Sequence, residues 1–123
     1  MPNSKIIAFD LDDTLCIRDN SVGGIEKYLG CRPVQENIDI ANECFDAGHR
    51  VVIYTARGMS VFSGNRDDIY SNLYELTRSQ LDKWGIKYHQ LVMGKIHFDI
   101  LVDDKVVNIS DVSSLECIEE RLV

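Results

Sequence analysis

The chain has 123 residues, enough for one domain and not two, and its 45% apolar and 27% charged residues are those of a globular protein with a core. A net charge of −7 excludes a grip on nucleic acid or an anionic membrane through bulk electrostatics. It does not exclude a phosphorylated substrate, because a metal and a few local cations can invert the field at one site.

Met1-Pro2-Asn3-Ser4-Lys5 runs straight into an apolar stretch that is too short for a signal peptide or a membrane span. Residues 5–9 (KIIAF) read as a buried strand ended by Asp10. A polar stretch with Gly23, Gly24 and Gly30 reads as loop. Pro33 suits the first turn of a helix. Val34, Ile38, Ala41 and Phe45 then repeat at helical spacing up to a stop at Gly48. Residues 51–54 (VVIY) are a second strand, rich in β-branched side chains. Residues 55–65 read as loop. A second helix is expected over 67–84, with Ile69, Leu73, Leu76, Leu81 and Trp84 near one face, Asp67 and Asp68 at its positive end and Gly85 after it. Residues 88–93 are a third strand and residues 100–102 (ILV) a fourth, ended by Asp103 and Asp104. The tail from Ser113 is a short helix, with Ser113 and Glu116 at capping-box spacing.

Strands that alternate with amphipathic helices predict an α/β fold in one domain over residues 1–123: a three-layer sandwich with a mainly parallel central sheet. In such sheets ligands bind off the carboxyl ends of the strands. The four cysteines, Cys16, Cys31, Cys44 and Cys117, include no C-x-x-C pair and read as reduced thiols of a cytoplasmic protein.

Three strand ends are polar in a coherent way. The first supplies Asp10 and Asp12, and the i, i+2 spacing can set both carboxylates on one side of the emerging chain. Two acids there repel each other, and a cation supports them most easily. With an acid from a neighbouring strand end they make an all-oxygen site suited to Mg²⁺. The second strand end supplies Thr55, Ala56 and Arg57, where the Thr55 hydroxyl and the adjacent N–H groups can hold phosphate oxygens. Arg57 is expected to face the mouth and bind substrate or phosphate, the alternative being a surface arginine that pairs with a nearby acid. The fourth strand end supplies Asp103 and Asp104, with Lys95 eight residues before Asp103. His89 and His97 read as structural or surface groups, and Tyr70, Tyr74 and Trp84 as core or interface residues.

Asp10-Leu11-Asp12-Asp13-Thr14, then VVIY-Thr55, then Lys95, then ILV-Asp103-Asp104 resembles the four ordered motifs of the haloacid dehalogenase (HAD) superfamily. The runs at 53–58 (IYTARG), 77–95 and 100–109 are similar to a subgroup of very small HAD hydrolases often labelled capsular or surface-polysaccharide biosynthesis phosphatases. Asp13 stands where many members have glycine, and Asp tolerates the tight turn. Ile96 stands where most of the subgroup has proline.

The resemblance implies a phosphatase in which Asp10 is the nucleophile and Asp12 the general acid and base. It implies Mg²⁺ held by the Asp10 carboxylate, the Asp12 backbone carbonyl and one of the Asp103–Asp104 pair, with Asp104 favoured by motif register. Thr55 would bind the transferring phosphoryl group, and Lys95 would pair with Asp10 and the phosphate. HAD enzymes usually insert a cap domain, and neither interval here, 12–55 or 55–95, has room for one. The expected substrate is therefore a phosphorylated small molecule or saccharide in an open site, and an exposed mouth makes a homo-oligomer reasonable.

Two rivals stand beside this reading. A receiver domain would need its acceptor acid where Thr55-Ala56-Arg57 stand. A catalytically dead regulatory protein would be free to lose Asp10, Asp12 and Lys95. A phosphotransferase on the same scaffold is not separable from a phosphatase by sequence.

Overall fold

The computed structural model describes residues 4–122. In chain order the elements are β1 (Ile6–Phe9), β2 (Cys16–Ile17), α1 (Glu26–Leu29), β3 (Arg32–Pro33), α2 (Gln35–Asp46), β4 (Arg50–Thr55), α3 (Arg66–Lys83), β5 (Gln90–Met93) and α4 (Leu115–Glu119), with 3₁₀ turns at Ile109–Asp111 and Glu120–Leu122. The fold is α/β, as the alternation of elements predicts, and no cap domain is present among the described residues.

β1, β4 and β5 form a parallel sheet in that spatial order, with Phe9 opposite Ile53 and Thr55 opposite Met93. All three strands therefore end at one edge, which is where the chemistry-bearing residues follow. The crossovers step twice in the same direction, and the usual right-handed connection then lays α2 and α3 over one face of the sheet. Burial records this. Ile7, Phe9, Val51, Ile53, Leu91 and Met93 pack under Ile38, Ala41, Ile69, Leu73 and Leu81 of the two helices. The apolar runs predict strands covered on both faces, but the finished strands alternate, and Ile6 on the other face stays 72% exposed.

Helix boundaries follow local chemistry. α3 begins at an Asn65 cap, whose side-chain oxygen accepts a hydrogen bond from the Asp68 N–H at 3.1 Å. Gly48 and Gly85 take positive φ just past α2 and α3. Pro33 does not open α2. It pairs with Cys16 in the small antiparallel β2–β3 sheet, and α2 starts at Gln35. The expected capping box at α4 does not form: Ser114 is the cap residue, and both Ser113 Oγ and Ser114 Oγ approach Cys117 Sγ instead.

The fourth strand expected at 100–102 is absent. Ile100 and Val102 are 80% and 92% exposed, and β1 pairs only with β4 among the described residues. Three apolar residues between Asp99 and Asp103 are too few to hold an extended conformation without a partner strand. No helix among the described residues is long and apolar enough to cross a membrane.

Candidate functional site

The turn after β1 is fixed by backbone hydrogen bonds. Leu15 and Cys16 both donate to the Leu11 carbonyl, at 2.8 and 3.1 Å, and Asp13 donates to the Cys16 carbonyl at 2.6 Å. Asp13 sits at φ 67°, the left-handed conformation that Asp tolerates better than most side chains. The turn aims Asp10 and Asp12 toward the cleft at the sheet's carboxyl edge. This cleft, of about 260 Å³, is lined by Asp10, Asp12, Thr55, Ala56, Arg57 and Lys95, together with Asp13, Arg18, Tyr28, Ser60 and the 96–98 segment.

Asp10 is half-buried. One of its carboxylate oxygens accepts from the Leu11 N–H at 2.9 Å and lies 3.7 Å from Lys95 Nζ. Burial raises its pKa, and Lys95 opposes that rise. Lys95 is placed by its own N–H, which donates to the Thr55 carbonyl at 3.1 Å, and its ammonium lies between the rings of Tyr54 and Phe98. Thr55 is buried, and its Oγ1 accepts from the Arg57 N–H at 3.0 Å.

Arg57 takes neither of its two expected places: it pairs with an acid, but inside the protein rather than at the surface, and it does not reach the mouth. Its side chain is wholly buried beneath the cleft and paired with an acid, Asp12. Nε and Nη2 donate to the two Asp12 oxygens at 3.2 and 2.8 Å. Nη1 donates to Thr77 Oγ1 and Gln80 Oε1 at 3.2 and 2.6 Å. Nη2 also reaches Cys31 Sγ at 3.5 Å, and the guanidinium stacks over the Tyr28 ring. The guanidinium donors are thus committed within the protein, and none is free for a substrate. What Arg57 does is fix the orientation of Asp12.

Asp103 and Asp104 are not brought to this cleft. Both are exposed, and Asp103 closes a local turn by accepting from the Lys105 N–H at 3.0 Å. Their position follows from the missing fourth strand, which would have carried them to the sheet edge. Of the donors expected for Mg²⁺, the Asp10 carboxylate faces the cleft and the Asp12 carbonyl accepts none of the turn's backbone hydrogen bonds, while neither Asp103 nor Asp104 lines the cleft.

No protein-family model matches the chain, and neither does any curated protein. The fold itself has a solved counterpart. A crystal structure of an MCSG target from Vibrio cholerae is 28% identical, with a TM-score of 0.81 and 96% of each chain covered. Coverage that high on both sides leaves no room for an inserted domain in either chain.

Sequence reasoning missed several members of the site. Tyr28 supplies a ring under Arg57, and its hydroxyl accepts from the Gly58 N–H at 2.9 Å. Gln80 ties α3 to both Arg57 and the Tyr28 carbonyl. His97 lines the cleft, whereas His89 is structural as expected, accepting from the Val51 N–H and stacking on Phe45. Cys16 and Cys31 meet at Asp12. The Cys16 thiol's hydrogen bond lowers the Cys31 pKa, and that same interaction together with burial pushes Cys16 up. Fifteen residues of separation and no C-x-x-C spacing left this pair without a local signal.

Proposed function

We propose that the chain is a Mg²⁺-dependent phosphatase that attacks a phosphate monoester with Asp10. The observation that carries this reading is the meeting of Asp10, Thr55 and Lys95 at the carboxyl edge of one parallel sheet, with the lysine ammonium 3.7 Å from the carboxylate. A nucleophilic carboxylate, a buried hydroxyl and a cation around one open cleft suit phosphoryl transfer, where positioning and charge stabilisation do most of the work.

In this reading an Asp10 oxygen bonds to phosphorus as the ester P–O bond breaks, and Asp12 gives a proton to the leaving oxygen. A water then attacks phosphorus, Asp12 takes its proton, and inorganic phosphate leaves. Both Asp12 oxygens accept from Arg57, but Oδ2 accepts from Nε alone and keeps a lone pair for the proton. Mg²⁺ on the Asp10 carboxylate and the Asp12 carbonyl would offset phosphoryl charge. Asp103 or Asp104 joins it in this reading only when the segment that carries them moves to the cleft. The open mouth suits a phosphorylated sugar or saccharide, and four unbridged cysteines suit the cytoplasm.

The test is phosphate release from p-nitrophenyl phosphate and from a phosphosugar panel, with Mg²⁺ and with EDTA. Metal-dependent multiple turnover on at least one substrate is expected. No turnover on any of them, or turnover that EDTA leaves unchanged, overturns the reading. A best substrate as small as phosphoglycolate would remove the saccharide assignment alone.

A further inference from the structure

Below the cleft, against Asp12, lie two thiols that the phosphatase reading does not use. Cys16 Sγ, Cys31 Sγ and an Asp12 carboxylate oxygen all lie within 4.8 Å of one another. Both thiols point at the same oxygen, at 3.4 and 3.7 Å, and Arg57 Nη2 lies 3.7 and 3.5 Å from the two sulfurs. The strand register explains the meeting. Cys16 pairs with Pro33 across the β2–β3 sheet, and Cys31 lies two residues before Pro33, on the same face.

We propose that Cys16 and Cys31 are a peroxide-sensitive dithiol that closes reversibly to a disulfide beneath Asp12. The two sulfurs need to approach only from within 4.8 Å to the S–S bond length of about 2.05 Å. Cys31 follows Gly30 at the end of the single-turn helix α1, in a largely exposed stretch that can make this adjustment. A metal in the cluster is disfavoured, because the Arg57 guanidinium already occupies the cation's place.

Accessibility orders the chemistry. Cys31 is partly exposed and Cys16 is fully buried, so a hydroperoxide meets Cys31 first. The Cys31 sulfur bonds to one peroxide oxygen, the O–O bond breaks, and the other oxygen leaves as water, giving a sulfenic acid. The Cys16 sulfur then attacks the Cys31 sulfur and displaces that oxygen as a second water. In sum, two thiols and one hydrogen peroxide give one disulfide and two waters, the thiols losing the two electrons that the peroxide gains. The product takes two S–H donors away from Asp12. Formation of the bridge does not rest on the phosphatase reading.

The test exposes the reduced full chain to hydrogen peroxide, blocks remaining thiols and maps peptides by mass spectrometry. The expected product joins the Cys16 and Cys31 peptides with a mass loss of about 2 Da, and a thiol reductant reverses it. Cys16→Ser should instead leave Cys31 as a sulfenic acid that dimedone traps, and Cys31→Ser should leave Cys16 reduced. The proposal is overturned if Cys16 and Cys31 stay free while the partly buried Cys117 is oxidised. It is also overturned if the bridge that forms joins either of them to Cys44 or Cys117.

Discussion

The Arg57 guanidinium is the most constrained polar group at the site, and its removal has a defined consequence. Asp12, nearly closed off from solvent, would lose the cation that grips both its oxygens. Breaking a buried pair from one side costs about 3–5 kcal/mol. Arg57→Ala should therefore lose about that much stability in urea unfolding. Arg57→Lys should recover only part of it, since an ammonium cannot grip two oxygens and the Tyr28 ring together. Asp10 pulls the other way. Its pKa is raised by burial, so the fold prefers it protonated. That contribution is present below the ordinary Asp pKa and is lost as pH rises through the raised one. Asp10→Asn should flatten the acidic side of the stability–pH curve of the metal-free protein. At neutral pH it should stabilise the fold slightly, by less than about 1 kcal/mol, because solvent screens a half-exposed carboxylate. Partly buried Cys117 has its pKa lowered to about 7 by hydrogen bonds from the Ser113–Ser114 turn. Its alkylation rate should climb through that pH, and should do so ahead of Cys44, whose thiol burial pushes up to about 11.

The loop that follows β4 depends on one glycine. Gly58 has φ 84°, and a Cβ there would meet Leu73 Cδ1 at 2.5 Å. Gly58→Ala combines a left-handed backbone cost with overpacking against α3, so a loss of about 2 kcal/mol or more is expected in thermal or urea unfolding. Because the Gly58 N–H also donates to Tyr28, the same change should loosen the ring beneath Arg57. Elements like these show what a sequence carries at short range. α3 was legible because Asn65, the first-turn acids, the apolar stripe and Gly85 are all local signals. β4 was legible from its β-branched run. The strand expected at 100–102 was not reliable for the opposite reason: an isolated ILV has no intrinsic preference strong enough to fix it, and its fate depends on a distant edge. The partners of Arg57 lie 45 residues away at Asp12 and 23 away at Gln80, so no local pattern could decide between a free and a buried guanidinium.

At the scale of the molecule, parallel strand order does what spacing alone cannot. It gathers Asp10, Thr55 and Lys95 from three separate stretches of chain and leaves Asp103 and Asp104 outside. Helices cover one face of the sheet, while Ile6 on the other face and the apolar residues Ile100 and Val102 are open to solvent. The shared architecture with the Vibrio cholerae protein extends across 96% of both chains, and no lid domain stands over the site among the described residues. The central claim is that Asp10 is the nucleophile of this open cleft, and the most direct measurement is Mg²⁺-supported turnover by Asp10→Asn beside wild type, on whichever phosphate ester wild type hydrolyses best. The account predicts a fall of roughly a thousandfold or more with the fold intact. Full activity in the variant would contradict it.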